Sequence, residues 1–197
     1  MAKARPIPGL HAEEPYAAAA ARVVAVRAQE LVDHSAGVLD VDAIERVHDM
    51  RVATRRLRAA LEIFAPCFAS DEHASALKEV KALADALGER RDRDVAVSAL
   101  RDFAAGLSVA DRPGVESLIG RIRAEQMEAN AALAPYVEPE RLAAVREGLG
   151  ELVREAERAA GADRGVAAGA ASLAAASEGN GAAAIDSSNG ADAEGPA

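Results

Sequence analysis

Between residues 15 and about 160 the large apolar side chains recur three and four positions apart, the spacing of one helix face. No run alternates apolar and polar positions with period two over a useful length, so no strand is predicted. The spacing predicts a first helix from about Pro15, a good first-turn residue, to His34, with its stop near Gly37. A second begins after Asp40 or Asp42, either of which suits an N-cap, and continues to about Ala65, before Pro66. A third starts at Ser70-Asp71 and reaches Leu87, with Gly88 as its stop. The fourth covers Asp92 to Ala105 and ends near Gly106. Asp111-Arg112-Pro113 opens a fifth that runs to about Leu133, and Pro139 opens a sixth from about Glu140 to Ala160. Short links between amphipathic helices make neighbours antiparallel, so the expected fold is an all-α antiparallel bundle of five to six helices.

Composition sharpens this picture at both ends. Of 99 apolar residues 51 are alanine, the best helix former and a poor strand former. Residues 1–14, with Pro6, Pro8 and Gly9, read as an irregular leader that has no apolar core of a signal peptide. Residues 161–197 hold only Val166, Leu173 and Ile185 as larger apolar groups, too few to offset the entropy of ordering, and are expected to be a disordered acidic tail. Propensity alone would allow a short helix near Val166 to Ala176. Apolar stretches are too short to span a bilayer, and one cysteine, Cys67, leaves no disulfide framework. The expectation is a soluble cytoplasmic protein.

The net charge of −9 argues against general nucleic-acid binding. Its distribution says more. The tail carries −4, and within the body cations align on the second helix. At about 100° per residue, His48, Arg51, Arg55 and Arg58 form one stripe about 15 Å long, with Arg56 to one side. Met50, Thr54, Leu57, Leu61 and Phe64 form the opposite, core-facing stripe. On the third helix Leu77, Val80, Ala84 and Leu87 make an apolar seam, while Lys78 and Lys81 lie on the far side with Asp85. A row of arginines with bidentate donors suits a linear polyanion, and the competing reading is a solvated face with internal salt bridges.

The stretch His48-Asp49-Met50-Arg51-Val52-Ala53-Thr54-Arg55-Arg56-Leu57-Arg58-Ala59-Ala60-Leu61, followed by Phe64, resembles the signature of CHAD domains, the conserved-histidine α-helical domains. Leu87-Gly88-Glu89-Arg90-Arg91-Asp92-Arg93-Asp94-Val95 resembles a second recurring block of that family. The resemblance covers roughly residues 15–160. It implies an all-helical module that binds inorganic polyphosphate without a cofactor, found with polyphosphate granules. The candidate binding residues it implies are His48, Arg51, Arg55, Arg56, Arg58, Lys78, Lys81 and Arg91, with Arg121 and Arg123 weaker. Arg91 matches a family position, although Asp92 and Asp94 beside it favour a structural ion pair. The family's two-halved domain carries two His-x-x-Arg helices, whereas His73 is the last histidine here. The chain therefore reads as one half-length bundle, for which three alternatives stand: a truncated domain, binding with a half-sized basic surface, or a homodimer that rebuilds the two halves; the tail has no counterpart in the signature.

Two rival readings compete. A metal-dependent HD phosphohydrolase would use His48-Asp49 with His34 and Asp94, but Arg51 and Arg55 beside His48 disfavour a divalent cation. Asp71-Glu72-His73 reads as a helix first turn, where acids complement the dipole. Neither a phosphate loop, a nucleophile pattern nor the Glu-x-Glu-x-Lys pattern of the triphosphatases that accompany the family is present, so the chain is expected to be non-catalytic. The other rival is a structural or granule-coating helical protein that works through an apolar face. No aromatic stacking platform accompanies the arginines, so no specific nucleic-acid partner is expected.

Overall fold

The computed structural model describes residues 3–179. Among these are five α-helices and no strand: α1 (Tyr16–Asp33), α2 (Ile44–Ile63), α3 (Ser70–Ala105), α4 (Arg112–Leu133) and α5 (Pro139–Gly179). Single-turn 3₁₀ segments at Ala65–Cys67 and Ala134–Tyr136 follow α2 and α4, each containing a proline that cannot continue the preceding helix. The all-α expectation is met.

Two expectations at helix ends are corrected. The third and fourth predicted helices are one helix, α3, which passes through Gly88 without a break. A helical glycine costs only about 1 kcal/mol relative to alanine. Burial of Val80, Leu83 and Leu87 before it and Val97 after it outweighs that cost. Neither Asp40 nor Asp42 caps α2: the N-cap is Ala43, and the Asp40 side chain instead accepts from the Asp42 backbone N–H at 3.0 Å. α3 starts at Ser70, as expected, and the N–H of the preceding Ala69 donates to Glu155 Oε2 at 3.3 Å. Asp71 and Glu72 do occupy the first turn of α3.

Residues 1–160 form one compact unit. α5 itself runs on to Gly179, so the polypeptide stays helical past Ala160 and through the stretch where propensity alone allowed a short helix. The remainder of the expected disordered tail, 180–197, lies outside the described residues.

One core holds the unit together. On α1, Ala17, Ala20, Ala21, Val24, Ala28 and Leu31 are buried, and the small side chains let α2 approach closely. From α2 come Val47, Met50, Leu57 and Leu61, from α3 Val80, Leu83 and Leu87, from α4 Leu133, and from α5 Leu142, Leu149, Leu152, Ala156 and Ala160. Thr54 is fully buried on the same α2 face and satisfies its hydroxyl by donating to the Met50 carbonyl at 2.8 Å. The apolar stripe expected on α2 is therefore the core face, with Phe64 half-buried at its end and packed on Tyr16. Between α1 and α2 the chain turns at Gly37, φ 69°. A Cβ there would fall 2.9 Å from Arg46 Nη1, which itself donates to the Ala36 carbonyl, so both conformation and space require glycine.

Candidate functional site

With Met50, Thr54, Leu57 and Leu61 fixed in the core, helical geometry turns His48, Arg51, Arg55 and Arg58 to the other side of α2. α3 packs antiparallel against α2, and pairings across the two helices fix the register. Glu45 pairs with Arg91 at 3.6 Å, Arg51 Nε lies 4.0 Å from the Cβ position of Gly88, and Glu62 pairs with Lys81 at 3.4 Å. In this register the α2 row runs opposite Arg91, Gly88, Asp85, Lys81 and Lys78 of α3. The two rows flank the furrow that a pair of packed helices leaves at its surface, with Arg51 beside Gly88, which has no side chain.

The candidate residues divide by what already holds them. Arg58 donates to Glu62 at 3.0 Å, and Lys81 shares the same carboxylate. The Arg58 hydrogen bond lowers the Glu62 carboxyl from its ordinary range; desolvation, the next largest effect, opposes it, and the Arg58 charge and the Lys81 hydrogen bond and charge add to the lowering. Arg56 approaches the buried Glu30 at 4.0 Å. Arg91 donates to the Ile44 carbonyl at 3.0 Å as well as pairing with Glu45. The expected ion pair of Arg91 with Asp92 or Asp94 is thus corrected: its acid partner is across the helix interface. By contrast His48, Arg51, Arg55 and Lys78 make no hydrogen bond or ion pair among the described residues. Arg55 and Lys78 are exposed, and His48 and Arg51 are half-buried.

Arg121 and Arg123 stand apart on α4. Arg123 lines a different pocket, with Asp94 and Arg101. Asp94 belongs to a buried cluster with Arg90, whose importance the sequence did not signal. Arg90 is fully buried, pairs with Asp94 at 3.0 Å and donates to Asn130 Oδ1 at 3.1 Å, while Gln126 Nε2 donates to Asp94 at 2.6 Å. Burial pushes the Asp94 carboxyl up, against the Gln126 hydrogen bond and the charges of Arg90 and Arg91.

The residues an HD phosphohydrolase would need are not assembled. Among the described residues the one group offering three metal-ligand types at mutual distances within 4.8 Å is Glu45, His48 and Asp49. Neither His34 nor Asp94 belongs to it. Glu45 is also tied to Arg91, and Arg51 stands one turn from His48, so positive charge opposes a divalent cation there. His73 is buried, hydrogen-bonds the Leu61 carbonyl at 2.8 Å through Nε2 and stacks on Phe68, which makes it a core histidine. Among the described residues no helix is long and apolar enough to cross a membrane.

A model of the CHAD domain matches residues 22–193, most of the chain. No curated protein matches it significantly. The matched span passes residue 160, so the family pattern reaches into the alanine- and glycine-rich segment that the resemblance over 15–160 left without a counterpart. The chain belongs to the CHAD domain family, which is associated with polyphosphate-related proteins.

Proposed function

We propose that this CHAD protein binds inorganic polyphosphate, without catalysis, in the furrow between α2 and α3. The carrying observation is that Arg51, Arg55 and Lys78 border one furrow and make no ion pair with an acid among the described residues, in a chain of net charge −9, while His48 beside them has the Glu45 and Asp49 carboxylates within 4.8 Å. A row about 15 Å long offers donors to several successive phosphates, whereas a single small anion would use only one or two. Arg58 and Lys81 add charge at one end, tethered by Glu62, and Arg91 at the other, tethered by Glu45. His48 adds an N–H donor to a phosphate oxygen in either protonation state.

Titration with polyphosphates of several lengths tests this on the wild type and on Arg51→Glu/Arg55→Glu. Both side chains lie off the core, so circular dichroism should show an unchanged helical fold. The expected result is a loss of affinity of at least about a hundredfold: removing each arginine's charge-assisted hydrogen bonds to phosphate costs about tenfold, and each new carboxylate repels the ligand. Affinity within about twofold of wild type would remove the proposal. Wild-type binding should weaken steeply with salt, by analogy with counterion release from nucleic acids, and should favour long polyphosphate over single-stranded nucleic acid. Light scattering on the same samples reads the proposed homodimer, in which a second copy extends the basic surface. A monomeric mass with and without polyphosphate sinks that part alone. Granule association is the cellular consequence of the same binding.

One observation favours the rival reading of a structural, granule-coating protein. Val95, Phe103, Val109 and Met127, all exposed, lie on the α3–α4 hairpin and its connecting loop. Binding through them would persist in high salt, which separates the two readings.

A further inference from the structure

α3 outruns α2. Arg91 meets the first turn of α2 through Glu45 and the Ile44 carbonyl, and α3 continues past it to Ala105, about 21 Å further. Lys81 and Gly88, which border the furrow, and Val95 beyond it are spaced by seven residues, two turns, and lie on one line along α3. Ala99 and Phe103 follow at intervals of four, and all five positions stay within about 80° of arc. Other elements cover other sides of this stretch. α4 reaches Asp94 through Gln126, and Val41 and Asp42 of the α1–α2 loop line a hollow with Asp94 and Val97. Val95 and Phe103 are left 50 % and 60 % exposed, with Ala99 exposed between them. The α3 face that carries cations along the furrow thus becomes an apolar shelf where α2 is absent.

We propose that this shelf is the contact surface for a second copy of the chain, and that a long polyphosphate drives the pairing; the second clause builds on the furrow binding polyphosphate as proposed above. Two features select a second copy. Val95 and Phe103 lie four residues either side of Ala99. Antiparallel α3 helices about a twofold axis at Ala99 therefore set Val95 of each copy on Phe103 of the other, with two small alanines at the crossing. The acids beside the shelf, Asp92 and Asp102, then face Gly106 and Ala96 rather than each other. The shelf also continues the furrow. Pairing through it puts two furrows on one line, their Lys78 positions about 60 Å apart, and a chain longer than one furrow reaches both. The shelf is about 21 Å long and one helix, about 10 Å, wide, far short of the about 800 Å² per partner of stable complexes, so the protein alone pairs weakly. A polyphosphate held by one copy raises the effective concentration of the second.

Cross-linking and titration of the full chain test the contact. Ala99→Cys, in a Cys67→Ser background, is treated with a short bismaleimide beside Ala132→Cys, an equally exposed position on α4. With long-chain polyphosphate the Ala99→Cys protein should give several-fold more covalent dimer than Ala132→Cys, and with triphosphate it should give little. Copies merely strung along one polyphosphate would link at both positions alike. Val95→Gln/Phe103→Gln keeps the net charge and places a good helix former at two exposed positions, so its helical fold should persist. It should bind long-chain polyphosphate at least about tenfold more weakly than wild type and triphosphate within about twofold, because only the linked second furrow is lost. Equal linkage at positions 99 and 132, or unchanged long-chain affinity in the double glutamine variant, overturns the proposal. If the wild type binds no polyphosphate, the furrow reading falls by itself. The shelf is then judged on the protein alone at high concentration: selective linkage through Ala99→Cys that Val95→Gln/Phe103→Gln abolishes keeps the second-copy contact, and equal linkage overturns it as well.

Discussion

Arg51 and Arg90 are separated by one helix–helix interface and do opposite work. Arg51 lies over the α2–α3 furrow and makes no ion pair among the described residues, whereas Arg90 is fully buried and hydrogen-bonded on two helices. The furrow keeps charge available, and the α3–α4 cluster consumes it. Even adjacent residues divide this way: Arg90 points into the interface with α4, Arg91 back to the start of α2, and Arg93 to Glu89 and Glu125 at the surface. A run of arginines in sequence is therefore not a basic patch until the helix phase has distributed it.

The largest expected effect breaks the buried side of this comparison. Arg90→Ala leaves Asp94 charged and buried with Gln126 as its remaining partner, and should cost about 3–5 kcal/mol of folding stability. Arg55→Ala, at an exposed and unpaired position, should change stability by no more than about 0.5 kcal/mol. Urea unfolding followed by circular dichroism measures both. Comparable losses in the two variants would mean that the furrow, too, is structural.

A smaller effect sharpens the functional side. Glu62 holds both Arg58 and Lys81, so it both positions two cations and cancels one charge of the furrow. Glu62→Gln removes the negative charge from an exposed position and should tighten polyphosphate binding about three- to tenfold at low salt, with a steeper dependence on salt. Its stability should hardly change, since exposed ion pairs are worth little. Weaker polyphosphate binding in Glu62→Gln would show instead that the tether orients Arg58 and Lys81 for the ligand.

The furrow was legible in the sequence and the buried cluster was not, for physical reasons. The 3-4-3 spacing of His48, Arg51, Arg55 and Arg58 against Met50, Thr54, Leu57 and Leu61 is a local, one-helix signal, and the core fixes its phase. Which cations remain free depends on the neighbouring helix. Glu45 meets Arg91, and Glu62 meets Lys81, only once α2 and α3 are in register. Arg90 is further from view, because arginine is rarely buried and its partner Asn130, like the Gln126 that donates to Asp94, lies far along the chain, on α4. Helix ends were misplaced for a related reason. Gly88 is carried through α3 by packing that propensity does not see.

Gly88 gives the finest test, because the expected helix stop and the observed helix interior demand opposite outcomes. At a stop with left-handed backbone, alanine would destabilise. In α3 a Cβ at position 88 meets only Arg51 Nε, at an ordinary van der Waals distance of 4.0 Å. Gly88→Ala should therefore stabilise the protein by about 0.5–1 kcal/mol, the gain in helix propensity, read as a higher unfolding midpoint. The added methyl reaches the furrow floor without displacing the guanidinium, so polyphosphate affinity should stay within about twofold. A bulkier Gly88→Leu separates the two regions once more: on the furrow side it would crowd Arg51 and lower affinity, while the Arg90–Asp94 cluster, on another face of α3, would remain intact.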